Sequence, residues 1–187
     1  MNLYKLHSNP EELIGHADRD FYFGDEAKEL LLQGKEVTKV IGNLYLGGTR
    51  IKSLPDNLTV SGNLYLGITP IKSLPDNLTV SGNLDLTGTP IESLPDNLEV
   101  GGNLNLERTP IKSLPDNLKV GGDLYLVDTP ITSLPDNLTV GRSLDLKHTP
   151  IKSLPDNLTV GRYLGLYDTP HLDKANLPEY LRAAAGH

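Results

Sequence analysis

From residue 41 onward the apolar positions of this chain recur every twenty residues. In "SGNLYLGITPIKSLPDNLTV" (61–80) they are Leu64, Leu66, Ile71, Leu74, Leu78 and Val80. Six complete units run from Ile41 to Val160, and a seventh opens at Gly161 and loses the pattern after Pro170. A strict period builds one surface copied along an axis rather than a pocket assembled from unlike parts. It therefore predicts a solenoid in which each coil buries its aliphatic rows against its neighbours.

Within a unit, Leu64 and Leu66 alternate with Asn63, Tyr65 and Gly67, the period of a strand with one buried face. A coil this short cannot hold a helix as well as a strand and two turns. The expected coil has one short parallel strand, an opposite side that is extended or in a single 3-10 turn, and room at "LTV" for a second short strand. "SLPDNL" marks a corner, because Pro75 presets φ while Asp76 and Asn77 bond nearby backbone and tolerate unusual dihedrals. The pairs at 61–62, 81–82 and 101–102, "SG" or "GG", mark another bend. A threonine column from Thr49 through Thr109 to Thr169 is expected to satisfy backbone groups inside each coil.

Raw strand edges at the two ends of such an array need covering. "SNPEELIGHA" supplies Asn9 as N-cap, Pro10 at the first helical position and Glu12 for a capping box. "GDEAKELLLQG" reads as a second helix stopped by Gly34, and "LPEYLRAAAG" as a short helix after Pro178. The chain thus divides into a helical N-terminal cap (1–40), a solenoid (41–170) and a C-terminal cap helix (171–187).

The stretch "LYLGITPIKSLP" (64–75) is similar to the leucine-rich repeat pattern L-x-L-x-x-N-x-L-x-x-L-P, with Thr69 at the Asn position. The period and the "LP" ending resemble the short repeats of bacterial and phage proteins, including secreted effectors. That resemblance implies a binding protein in which the strand face not used by the core meets the partner. It leaves open a curved horseshoe or a straighter β-solenoid, because the Thr-for-Asn change and the glycine bends depart from the pattern. Some effector relatives carry a ubiquitin-ligase domain that works through a cysteine, and this chain has no cysteine, so that activity does not carry over.

Composition fits the repeat reading. A hydrophobic fraction of 37% and an aromatic fraction of 5% are lean for a three-dimensional core but sufficient for stacked aliphatic rows. Without cysteine there are no disulfides, thiolate metal sites or thiol nucleophiles. The net charge of −7 disfavours general binding to nucleic-acid phosphates. Neither a signal core nor a membrane-spanning apolar run is visible, so the expectation is a cytoplasmic protein that does not engage membranes, with secretion by a non-classical effector route left open.

Variation concentrates on the outward strand columns. One runs Asn43, Asn63, Asn83, Asn103, Asp123, Ser143, Tyr163, and the next Tyr45, Tyr65, Asp85, Asn105, Tyr125, Asp145, Gly165. Further along lies Gly48, Ile68, Gly88, Arg108, Asp128, His148, Asp168. Tyrosine offers rigid contact area at low entropic cost, and arginine is a frequent hot-spot residue. The expected partner-binding residues are therefore Tyr45, Tyr65, Asp85, Asn105, Arg108, Tyr125 and Asp145, against the plainer reading of surface columns free to drift.

The last coils differ from the rest. Arg142 and Arg162 replace a bend glycine near Lys147, His148, Tyr163 and Tyr167, a set that suits an anionic small molecule such as a nucleotide, partly neutralised by Asp145 and Asp168. His148 between Asp128 and Asp168, with Ser143 as the nearest nucleophile, superficially suggests a catalytic base, but an open sheet face excludes little water. The aspartate ladder from Asp56 to Asp156 reads as turn capping, and the remaining histidines lack metal-ligand spacing. The sequence thus predicts a non-enzymatic, cofactor-free protein-binding module, with anion sequestration as the alternative and association through the solenoid ends as a further option.

Overall fold

The computed structural model describes residues 21–177 and Leu181. The expected helix at "SNPEELIGHA" and most of "LPEYLRAAAG" lie outside those residues. The chain forms a parallel β-solenoid with a twenty-residue coil, and each coil contributes a two-residue strand to each of two sheets. The pair first appears whole as Thr59–Val60 and Leu64–Tyr65 and last as Thr159–Val160 and Leu164–Gly165. The room noted at "LTV" is thus used, and the coil carries a strand on both sides of its glycine bend.

The TV sheet has eight strands and begins with β1 (Tyr22–Phe23) and β2 (Lys39–Ile41). The LY sheet has seven and begins with β3 (Leu44–Tyr45). From β2 onward register is fixed at twenty residues: Val60 faces Val80, and Leu64 faces Leu84. Both sheets are laddered coil to coil, with Ser61 N–H to Val40 C=O at 3.0 Å and Leu64 N–H to Asn83 C=O at 2.8 Å. The two sheets meet at the glycine bend, and in each of them successive coils keep the ~4.8 Å strand separation.

The inward rows are those of the sequence pattern. Leu64, Leu66, Ile71, Leu84, Leu86 and Ile91 are fully buried, and the rows join in one continuous core. At the corners Asn57, Asn77, Asn97 and Asn137 adopt the left-handed backbone that their side chains favour. Each threonine of the inward column donates its hydroxyl to the carbonyl three residues before it; Thr109 to Leu106 C=O is 2.7 Å. Among the described residues no buried side-chain polar atom lacks a partner.

At the N-terminal end α1 (Gly24–Leu32) packs through Ala27 and Leu31 against the first coil. It stops where the sequence predicts, with Gly34 at φ 73°. At the other end a 3-10 turn, Lys174–Asn176, accompanies Leu172, Leu177 and Leu181, whose buried side chains close the core. No helix among the described residues is long and apolar enough to cross a membrane.

Candidate functional site on the LY sheet

Alternation along each LY strand sends residues 43, 45 and 47 of the first coil, and their equivalents, to the outer face. The first of these columns is tied into the scaffold. Asn43 Oδ1 accepts the backbone N–H of Asn63 at 2.8 Å, Asn63 that of Asn83 at 2.7 Å, and Asn83 that of Asn103 at 2.8 Å. Asn103 continues to Asp123, and Asp123 to Ser143, at 2.8 and 2.9 Å. A column whose variation suggested contact with a partner is a side-chain ladder that staples each coil to the next. Its variants Asn and Asp share the one property needed, an acceptor oxygen on a short stem.

The second column carries most of the expected partner-binding residues, and it is half committed to the coil. Where the residue is Asp or Asn it accepts the amide two residues on: Asp85 from Thr87 at 3.0 Å, Asn105 from Glu107 at 2.9 Å, Asp145 from Lys147 at 3.1 Å. Where it is Tyr the hydroxyl reaches back two residues. Asn43 and Asn63 donate to Tyr45 and Tyr65 at 3.1 and 3.0 Å, and Tyr125 donates to Asp123 at 3.3 Å. Tyr45 and Tyr65 stack face to face, centroids 4.8 Å apart and planes within 4°, which is the strand spacing expressed in side chains. Tyr125 stands apart from them. Arg108 pairs with Asp128 at 3.4 Å on the surface.

Sequence reasoning did not single out Ile68, yet it is the most exposed large apolar residue among the described residues, at 77%. It also holds the left-handed backbone of its whole column, φ 58°, which Gly48 and Gly88 take freely and Arg108, Asp128, His148 and Asp168 share. A β-branched side chain there is a true outlier, since its Cβ crowds the following carbonyl at a cost of about 1–2 kcal/mol. The signal was available in the sequence: one isoleucine in a column otherwise of glycine and polar residues.

In the C-terminal coils three of the expected anion-binding residues, Arg142, Lys147 and His148, stand beside carboxylates. Lys147 Nζ lies 3.2 Å from Asp145 and 5.9 Å from the Tyr163 ring centre. The hydrogen bond and charge of Asp145 hold its ammonium protonated above the usual lysine range. Arg142 lies 3.9 Å from Asp123. Burial pushes that carboxyl up, but hydrogen bonds from the backbone and hydroxyl of Ser143, the Arg142 charge and the Tyr125 hydroxyl outweigh burial and hold it below its ordinary range. Burial, followed by the Asp123 charge, raises Tyr125. Of the cations in this group only Arg162 has no acidic partner among the described residues.

His148 pairs with Asp168, Nδ1 to Oδ2 at 3.1 Å, and presents its ring to the edge of Tyr167, both sides open to solvent. Ser143 gives its hydroxyl and amide to Asp123 rather than to His148. No group of three acidic or histidine side chains among the described residues converges as metal ligands do. A comparison with protein-family models and with curated proteins returned no match. Fold and surface together define the class of molecule: a cysteine-free parallel β-solenoid with two sheets and one face that mixes scaffold ladders with exposed tyrosine and isoleucine.

Proposed function

We propose that this protein is a non-enzymatic interaction module whose LY face, centred on Tyr45, Tyr65 and Ile68, binds a protein partner. In the bacterial or phage setting implied by the leucine-rich-repeat resemblance, it would act as an inhibitor or effector of a host protein. The observation that carries this reading is Ile68. A residue that costs about 1–2 kcal/mol of backbone strain, contributes nothing to the core and stands 77% exposed is a local rule broken without structural gain. Gly47 and Gly67 lower the surface beside the tyrosine pair, so Ile68 stands clear of its surroundings. An apolar knob beside rigid aromatic contact area is the composition of a protein hot spot.

The test is capture of partners from bacterial lysate on the immobilised full chain, followed by mass spectrometry. A protein retained by wild type should be lost with Ile68→Gly and with the double variant Tyr45→Ala, Tyr65→Ala, both folded by circular dichroism. It should survive Arg142→Glu with Arg162→Glu. Retention by the first two variants and loss with the arginine pair would overturn the reading.

A further inference from the structure

The outer face of the TV sheet carries a pattern of its own. Its central column runs Thr59, Thr79, Glu99, Lys119, Thr139, Thr159, one residue from each of six coils set side by side by the twenty-residue register. From Thr79 onward every member is exposed. The decamer that supplies this strand ends Leu-Thr-Val in four coils, and only the two middle ones depart from it, to Glu99 and Lys119. Threonine suits a strand surface better than glutamate or lysine, so the change weakens the local preference. Within the chain it gains one solvated ion pair, Lys119 Nζ to Glu99, with side chains 73% and 59% exposed. A pair so placed contributes little stability. Beside the column Gly101, Gly121, Gly141 and Gly161 form an exposed lane without side chains. A depression of about 340 Å³ lies where the lane meets the charged pair, lined by Thr79, Glu99, Gly101, Lys119 and Gly121 among others.

We propose that the TV face pairs with the TV face of a second copy of this chain, the two solenoids running in opposite directions. The two-fold axis lies in the interface, parallel to the strands, and passes between the Glu99 and Lys119 coils. That operation sets Glu99 on Lys119 of the second copy and Lys119 on Glu99 of the second copy, with Thr79 on Thr139 and Thr59 on Thr159 to either side. The column Thr-Thr-Glu-Lys-Thr-Thr is thus self-complementary: reversing its order exchanges the two charges and leaves the threonines in place. An isologous interface requires this property of its surface. The four charges alternate in sign around a ring, so each gains a second opposite neighbour. A parallel pairing of the same faces sets Glu99 on Glu99 and Lys119 on Lys119, and the pattern selects against it.

Sheets packed face to face stand about 10 Å apart. A column of threonines beside a bare glycine lane allows that approach, and the longer Glu99 and Lys119 side chains reach across it into the depression of the opposite copy. The charged pair sits two coils inside either end of the column, clear of both caps. Six strands by about five residues make a face roughly 29 Å by 16 Å, so the pair covers about 900 Å² in total, less than the ~1,200 Å² of stable complexes. The dimer is therefore weak, and charge rather than apolar area chooses its register. Tyr45, Tyr65 and Ile68 of the LY face take no part in it.

The test is sedimentation velocity of the full chain at millimolar concentration and low salt. A reversible dimer is expected, weakened about tenfold in ~1 M salt, where the Debye length is about 3 Å. Glu99→Lys and Lys119→Glu should each sediment as monomers with unchanged circular dichroism, because either homodimer sets like charges together at both contacts. Mixed in equal amounts the two variants should form a heterodimer, since every contact between them is again of opposite sign. The chain has no cysteine, so introduced thiols read the register independently. Thr79→Cys and Thr139→Cys chains, mixed under mild oxidation, should link to each other and not to themselves. Ile68→Gly should dimerise as wild type does, which keeps failure of this proposal apart from failure of the LY reading. A wild-type chain that stays monomeric, charge variants that dimerise singly or fail to pair when mixed, or Thr79→Cys chains that link to themselves would overturn the proposal.

Discussion

Replacing Asn83 with alanine isolates the coil-to-coil ladder. Asn83 Oδ1 accepts the Asn103 N–H at 2.8 Å in a half-buried position. Alanine removes that acceptor and leaves a backbone donor that water reaches only in part. A made hydrogen bond contributes about 0.5–1.5 kcal/mol net, and a stranded buried donor costs about 1–3. Half burial places the variant near the overlap, at ~1 kcal/mol. Asn83→Asp keeps the oxygen, as Asp123 does natively toward Ser143 at 2.9 Å, and should stay within about 0.5 kcal/mol of wild type. The assay is urea unfolding followed by circular dichroism, where a loss of this size moves the midpoint by about 0.5 M at constant slope. An unchanged midpoint for the alanine variant, or equal losses for alanine and aspartate, would refute the ladder as a stabilising element. A second transition appearing only in the alanine variant would show that coupling between neighbouring coils, rather than stability of the whole array, had been weakened.

Further outcomes follow from the same geometry. Ile68→Gly should stabilise the fold by about 0.5–1 kcal/mol, from relief of ~1–2 kcal/mol of left-handed strain less about 0.5–1 for glycine's unfolded-state entropy; a lower midpoint in urea would contradict the strain argument. Leu106→Ala, at a fully buried site, should cost about 2–5 kcal/mol, read in the same assay. Asp123 has a folded-state carboxyl held below its ordinary range, so its stabilisation is present above the unfolded value near pH ~3.9 and is lost as pH falls through the lower folded value. Asp123→Asn, which keeps an acceptor for Ser143, should remove that acid-side loss, and unfolding curves measured down through this range check it. Tyr125 is shifted the other way: its contribution is present below about pH 10 and lost as pH rises through the folded value, a loss that Tyr125→Phe should abolish.

Much of this molecule is set by its own one-dimensional pattern. The period, the inward rows from Leu44 to Leu166, the asparagine corners and the threonine column follow from local alternation, turn chemistry and burial, because each needs only residues within one coil. The stop of α1 at Gly34 follows from glycine's freedom at positive φ. What the sequence left undecided depends on partners in the neighbouring coil. The Asn43-to-Asp123 column looked like free surface because the groups it bonds lie twenty residues away, and only the stacking register brings an amide under each oxygen. His148 stood between two aspartates in the sequence, and in the structure it pairs with Asp168 while Asp128 pairs with Arg108. Among the C-terminal cations the Lys147–Asp145 pair lies within one coil and was legible in the sequence, whereas the stacking register alone sets Asp123 beside Arg142. The exposure of Ile68 is likewise a tertiary fact. A periodic sequence specifies an interior coil, but where the array begins is decided by how α1 packs on the first rung.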